Sequence, residues 1–283
     1  MLLDLIQAAG IDLRFTMIEI GALPLSGHPE PFYRLLEDAP RSQLCAFEVD
    51  AVLCARLNQE ARPGTRYFPA AIGGGNGKRP FYETEHPMCA SLYPPDERWR
   101  EIFGQLDVMR LERVTALETL TLDDFAAREA IGPVDFIKMD IQGAELEALR
   151  GARQVLRGVS LIVSEVEFIP LYVGQPLFGD VDAHLRQQGF MLHKFLGLSG
   201  RPAKPMAFNN DPCFPVQVMW SDAVFIRDLC QLDQRTVQQL LKLAVLLELY
   251  ASPDLAHYLL RVCDQRGVTA LADDYLEALT KRV

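Results

Sequence analysis

The chain has 283 residues, 49% apolar and 23% charged, which provides the core of one large domain and excludes a disordered or collagen-like protein. Its formal net charge is −10, with the acids spread along the sequence, so nucleic acid is not expected as the main partner. No run of 18 apolar residues occurs and Met1 to Gly10 carries Asp4 but no leading basic residue, so neither a membrane span nor a signal peptide is expected.

From Phe15 to Asp228, short apolar runs alternate with helix-like segments, the pattern of a mostly parallel sheet with helices on both faces. The expected strands are FTMIEI (15–20), QLCAFEV (43–49), RYFPAAI (66–72), VDFIKMDI (134–141), SLIVSEV (160–166), FMLHKFLGL (190–198) and QVMWSDAVFI (217–226). A Pro/Asn/Gly-rich loop at 199–216 separates the last two, which is compatible with an antiparallel pair at the sheet edge. GGGNGK (73–78) fails the spacing of a phosphate loop, with Arg79 where Ser or Thr belongs, and reads as a turn before RPFYET. Residues 82–100, with Tyr82, Tyr93 and Trp99, read as a loop that covers an acceptor or packs passively on the domain.

AELEALRGARQVL (144–156) has a helical stripe of Ala148, Ala152, Val155 and Leu156, and Arg150, Arg153 and Arg157 read as its solvated side. Val181 to Gln188 reads as a short helix ended by Gly189. Beyond Arg227 the expectation is a helical extension: 232–251, 253–267 and a third helix near 269–281. Its stripe Leu240, Leu241, Ala244 and Leu247 is a packing surface or a homo-oligomer contact, and Lys242 and Glu248 argue against a membrane helix. The domain boundary is therefore expected at 228/229. The six cysteines form no CxxC pair and no Cys/His ligand set, which reads as reduced thiols in a cytoplasmic protein without zinc. No cluster of carboxylates and histidines reads as a metal site.

Two constellations carry chemistry. The first is MIEIGA (17–22) followed by AFEVD (46–50). In open α/β sheets ligands sit beyond the carboxyl ends of the strands, where glycine admits the backbone close and an acid at the next strand end accepts from ribose hydroxyls. Gly21 and Glu48 fit those places, which would serve any adenosine cofactor. The GxGxxG dinucleotide fingerprint is missing after the first strand, so NAD is disfavoured. The second is VDFIKMDIQGAELEALRGA (134–152), a strand ending in Asp140, a turn at Gly143, and a helix with Glu145 in its first turns.

This second segment resembles the signature of the FkbM family of methyltransferases. The order of the other motifs is similar: the acidic-Gly-Ala loop, FE at the second strand, AIG (71–73), ASL (90–92), TLDDF (121–125), DIQGAE, and WSDAVFIR (220–227) as the closing strand. The resemblance covers about residues 15–228 and implies a Rossmann-like fold with a seven-stranded sheet and S-adenosylmethionine at the first two strand ends. By the same resemblance, Glu19, Gly21 and Ala22 would line the methionine side, Glu48 would hold the ribose, Ala71 and Ile72 would lie near the adenine, and Asp140 would face methyl transfer. The family's acidic-x-Gly-Ala-Asn-x-Gly loop is altered here, with Leu23 for Asn, Leu25 for the second Gly, and Gly27 displaced.

The implied acceptor is a hydroxyl of a small molecule or glycan, and such a hydroxyl must lose a proton. Asp140 is the first candidate base or positioning group, His86 the second because imidazole titrates near neutral pH, and Glu165, with Glu167, the third. His193, within a strand-like run, reads as a packed histidine. The altered loop carries the alternative, a catalytically silent member acting as a binding or scaffolding protein.

Overall fold

Successive side chains of the central runs are apolar on both sides, so the sheet they form needs a helical layer on each face. The computed structural model, which describes residues 1–22 and 30–281, has both layers. Its strands are β1 (Thr16–Ile20), β2 (Gln43–Phe47), β3 (Thr65–Phe68), β4 (Ala71–Ile72), β5 (Gly77–Thr84), β6 (Leu111–Leu120), β7 (Phe136–Met139), β8 (Leu161–Glu167), β9 (Phe190–Phe195), β10 (Ser199–Arg201) and β11 (Gln217–Arg227).

The main sheet runs β3-β2-β1-β7-β8-β11, and β9 and β10 share the far side of β11. Eight strands thus fill seven positions, in line with the expected seven-stranded sheet. The five strands from β3 to β8 in this order are parallel. β11 is antiparallel to both β8 and β9, so the edge pair is antiparallel. The order reverses beside β1, where β2 departs to one side and β7 to the other, and this is where a crevice opens in such sheets.

Alternation sorts the core. Met17, Leu44, Ala46, Phe136, Val163 and Val224 face one layer: the helix Leu2–Ala8, the segment Pro31–Asp38, and the helices Val237–Leu249, Pro253–Gln265 and Ala272–Thr280. Ile18, Cys45, Phe47, Ile137, Met139 and Phe225 face the other, formed by helices Leu122–Arg128, Glu145–Arg150 and Phe178–Gln187. The stripe Leu240, Leu241, Ala244 and Leu247 is buried inside this chain. The C-terminal helices therefore form part of the layer that closes one face of the sheet.

The structure differs from the sequence reading at five places. RYFPAAI is two strands, because the chain leaves β3 at Pro69 and Ala71–Ile72 joins a second sheet of order β4-β6-β5. The turn at 73–78 leads into β5, which pairs antiparallel with β6 from Gly77↔Thr119 to Thr84↔Leu111. LERVTALETL (111–120) forms β6 although most of it is exposed, and without a buried face it carries no alternating apolar pattern in the sequence. The segment 199–216 contains β10, and the helix expected over 144–156 ends at Arg150 before a short turn of 3₁₀ helix at Val155–Arg157.

Candidate active site

β1 ends at Ile20, and Gly21 turns the chain with φ +83°. A Cβ on Gly21 would lie 1.9 Å from the carbonyl oxygen of Asp140, so only glycine lets the ends of β1 and β7 meet this closely. Next to them β2 ends in Phe47 and Glu48. These strand ends form the floor of a cavity of about 590 Å³, within the size range of small-molecule sites. Ala71 and Ile72 of β4 and Phe81, Glu83, Glu112 and Leu117 of the β5–β6 hairpin, all of the second sheet, also line it. Glu147 pins the hairpin to the domain, accepting from Arg79 at 2.7 Å and from Tyr93 at 2.6 Å.

Of the residues expected to hold a cofactor, Gly21, Glu48, Ala71, Ile72 and Asp140 line this one cavity. Glu19 and Ala22 do not. The Ala22 N–H bonds to the Phe47 carbonyl at 2.9 Å and its methyl is in the core. Glu19 is buried, accepts a hydrogen bond from the Tyr33 hydroxyl, and is pushed by burial up to about 7. Leu23, Leu25 and Gly27 of the altered loop lie outside the described residues.

Asp140 reaches the cavity from a group of acids. Gln142 donates its side-chain Nε2 to Asp140 Oδ1 at 2.8 Å and to Glu165 Oε2 at 2.6 Å. Its Oε1 accepts from the Tyr172 hydroxyl at 2.9 Å, and its backbone carbonyl accepts from Ser91 Oγ at 2.7 Å. Glu165 lies behind Asp140, off the cavity lining, and burial together with the Asp140 charge raises it well above the usual carboxylate range. Burial also raises Glu167. Glu145 accepts from the Ile141 N–H at 2.8 Å, holding the turn, and burial pushes it up to about 7. Burial disfavours the charge of Lys138, but the Asp140 and Asp222 carboxylates outweigh that effect and keep it protonated; it bonds Asp222 at 2.6 Å.

His86 stands apart. It is exposed, and its Nδ1 accepts from the Met88 N–H at 3.3 Å at the start of a 3₁₀ turn. Glu85, Pro87 and Met88 line the cavity, but His86 does not. His193 bonds Ser252 at 2.7 Å beneath the C-terminal helices. Gln142 and Tyr172 were missed as site residues. Gln142 lies inside the DIQGAE motif, but its φ of +56° and its four partners depend on tertiary structure.

The lining suits S-adenosylmethionine. The Glu48 carboxylate is steadied by the Asp50 N–H at 2.9 Å and retains acceptor capacity for a ribose diol. Among the described residues the charged lining is Glu48, Asp50, Glu83, Glu85, Glu112 and Asp140 against Arg113 alone, and Arg113 is paired with Glu83. Such a field favours a sulfonium cation and leaves no free cation for a pyrophosphate.

The strand order, the antiparallel closing strand and a crevice at the ends of β1, β2 and β7 define a protein with the Rossmann-like methyltransferase fold. The model of the Methyltransferase FkbM domain matches residues 21–192, and the chain belongs to that family. Among curated proteins it is similar to the 2-O-methyltransferase NoeI of Sinorhizobium fredii, 29% identical over 151 residues, or 50% of this chain and 60% of that one. The chain therefore spans about 60% of that relative's length. Among solved structures it is similar to magnesium protoporphyrin IX methyltransferase (ChlM) from Synechocystis PCC 6803 with bound SAM, at 9% identity and a TM-score of 0.36, covering 80% of this chain and 76% of that one. It is also similar to 23S rRNA methyltransferase ErmE, at 12% identity and a TM-score of 0.33, covering 87% and 76%.

Proposed function

We propose that the chain is an S-adenosylmethionine-dependent O-methyltransferase acting on a hydroxyl of a small molecule or glycan. The observation that carries this reading is that Gly21, Glu48 and Asp140, from three strand ends, line one cavity of suitable size and charge. The 2-O-methyltransferase similarity supports a hydroxyl as the acceptor.

S-adenosylmethionine, when bound, supplies a methyl group made electrophilic by a positively charged sulfur. Glu48 would accept from the ribose hydroxyls, and Ala71 and Ile72 would offer apolar surface to the base. Asp140, at the lip, would orient the acceptor hydroxyl and take its proton as the methyl passes from sulfur to that oxygen, with S-adenosylhomocysteine as the leaving group. Glu165, raised by burial and out of the cavity, acts through Asp140. His86 has no step in this scheme, because it caps a turn off the lining. A cytoplasmic location belongs to the same reading, since six unpaired thiols suit a reducing compartment.

Incubation with S-adenosylmethionine tritiated at the methyl, against a panel of mono- and oligosaccharides and small alcohols, tests this. Label transferred to an acceptor oxygen supports the reading. Transfer only to amines or thiols would reject it.

A further inference from the structure

Among the described residues, Gln142 donates from one side-chain nitrogen to both Asp140 and Glu165. Two oxygens of adjoining acids face one nitrogen, so the amide must present its NH₂ there, and its oxygen is left for the Tyr172 hydroxyl. Both amide protons are thereby spent on the acid pair. The backbone at Gln142 has φ +56°, a conformation that side-chain-bearing residues adopt at a cost and that persists where surrounding contacts enforce it. Ser91 on the backbone carbonyl and Tyr172 on the amide oxygen supply that enforcement. Glycine or asparagine would suit this backbone better, so local folding alone does not explain a glutamine here.

We propose that Gln142 is a positioning residue, whose carboxamide joins Asp140 and Glu165 into one unit and holds the Asp140 carboxylate toward the cavity. The inference rests on the reading of Asp140 as the group that takes the acceptor's proton. The surroundings leave this task to the amide. Glu145 and Glu167 press on the pair from the following helix and from β8, and Glu19 and Glu30 add negative charge from the β1 side. Tyr172 and Cys89 are held neutral, both raised by burial. Lys138 acts on Asp140 through its charge, but its hydrogen bond goes to Asp222, so the side-chain hydrogen bond to Asp140 comes from Gln142. Gln142 therefore supplies Asp140 with a side-chain N–H donor, the kind of contact that favours a carboxylate's charged form, and ties it to Glu165.

The test is a titration of the protein labelled with ¹³C at aspartate and glutamate carboxyls, followed by NMR in the wild type, Gln142→Asn and Gln142→Gly. Glu165→Gln and Asp140→Asn assign the two signals. Asparagine tolerates the backbone but is one methylene too short to bridge the acids, and glycine removes the amide. The expected result is an Asp140 midpoint at least one pH unit higher in both variants, a tenfold gain in proton affinity, with melting temperatures equal to or above that of the wild type. An unmoved midpoint would overturn the proposal, and so would loss of the folded state in both variants, which would assign Gln142 a structural role. The titration needs no ligand. Failure of the wild type to bind S-adenosylhomocysteine would instead count against the methyltransferase reading and leave this result standing.

Discussion

Glu19 lies near the end of β1 and Asp140 just beyond the end of the adjacent β7, yet only Asp140 reaches the cavity. Asp140→Asn keeps size and loses basicity, so turnover should fall about 10²- to 10⁴-fold with cofactor affinity retained, as measured by single-turnover kinetics. Glu19 has a different consequence. Its folded value of about 7 lies above the ordinary 4.5, so the folded state binds the proton more tightly. Its contribution is complete below pH 4.5 and is lost as pH rises through 7. Glu19→Gln should remove that slope: between pH 5 and 8 the wild type should lose on the order of 2–3 kcal/mol relative to the variant in denaturant unfolding. At this scale the sequence was legible where chemistry coincides with a strand end, as at Gly21, Glu48 and Asp140. It was not legible for Gln142, whose role appears only when β8 brings Glu165 beside it.

At the scale of elements, the parallel strands were readable because both their faces are buried, which leaves continuous apolar runs. The β5–β6 hairpin was not, because it stands off the main sheet and β6 is exposed over most of its length. The hairpin nonetheless forms one wall of the cavity, and its attachment is polar: Arg79 and Tyr93 on Glu147. Arg79→Met should free the hairpin without unfolding the domain. Hydrogen exchange should then quicken about tenfold or more in 77–84 and 111–120, as expected for losing a charged hydrogen bond worth about 1.5–3 kcal/mol. Protection in β1 and β7 should not change.

At the scale of the molecule, the segment after Arg227 was read as an appended helical extension. Its helices share one apolar cluster with the helix Leu2–Ala8 and with Met17, Leu44 and Phe136 of the sheet. A chain ended at Asp228 would expose that face of the sheet, so it should lose cooperative thermal unfolding and bind a hydrophobic dye. A cooperative melt in the truncated chain would contradict this. Among the described residues, no helix is long and apolar enough to cross a membrane.

The central claim is that the cavity at the ends of β1, β2 and β7 binds S-adenosylmethionine. Calorimetric titration of the full chain with S-adenosylmethionine, S-adenosylhomocysteine and NAD in parallel tests it most directly, with Glu48→Ala as the control. The account predicts saturable one-to-one binding of the first two, at least tenfold weaker in Glu48→Ala, and none of NAD. Binding of NAD, or wild-type affinity in Glu48→Ala, would contradict it, as would no binding of either adenosyl ligand.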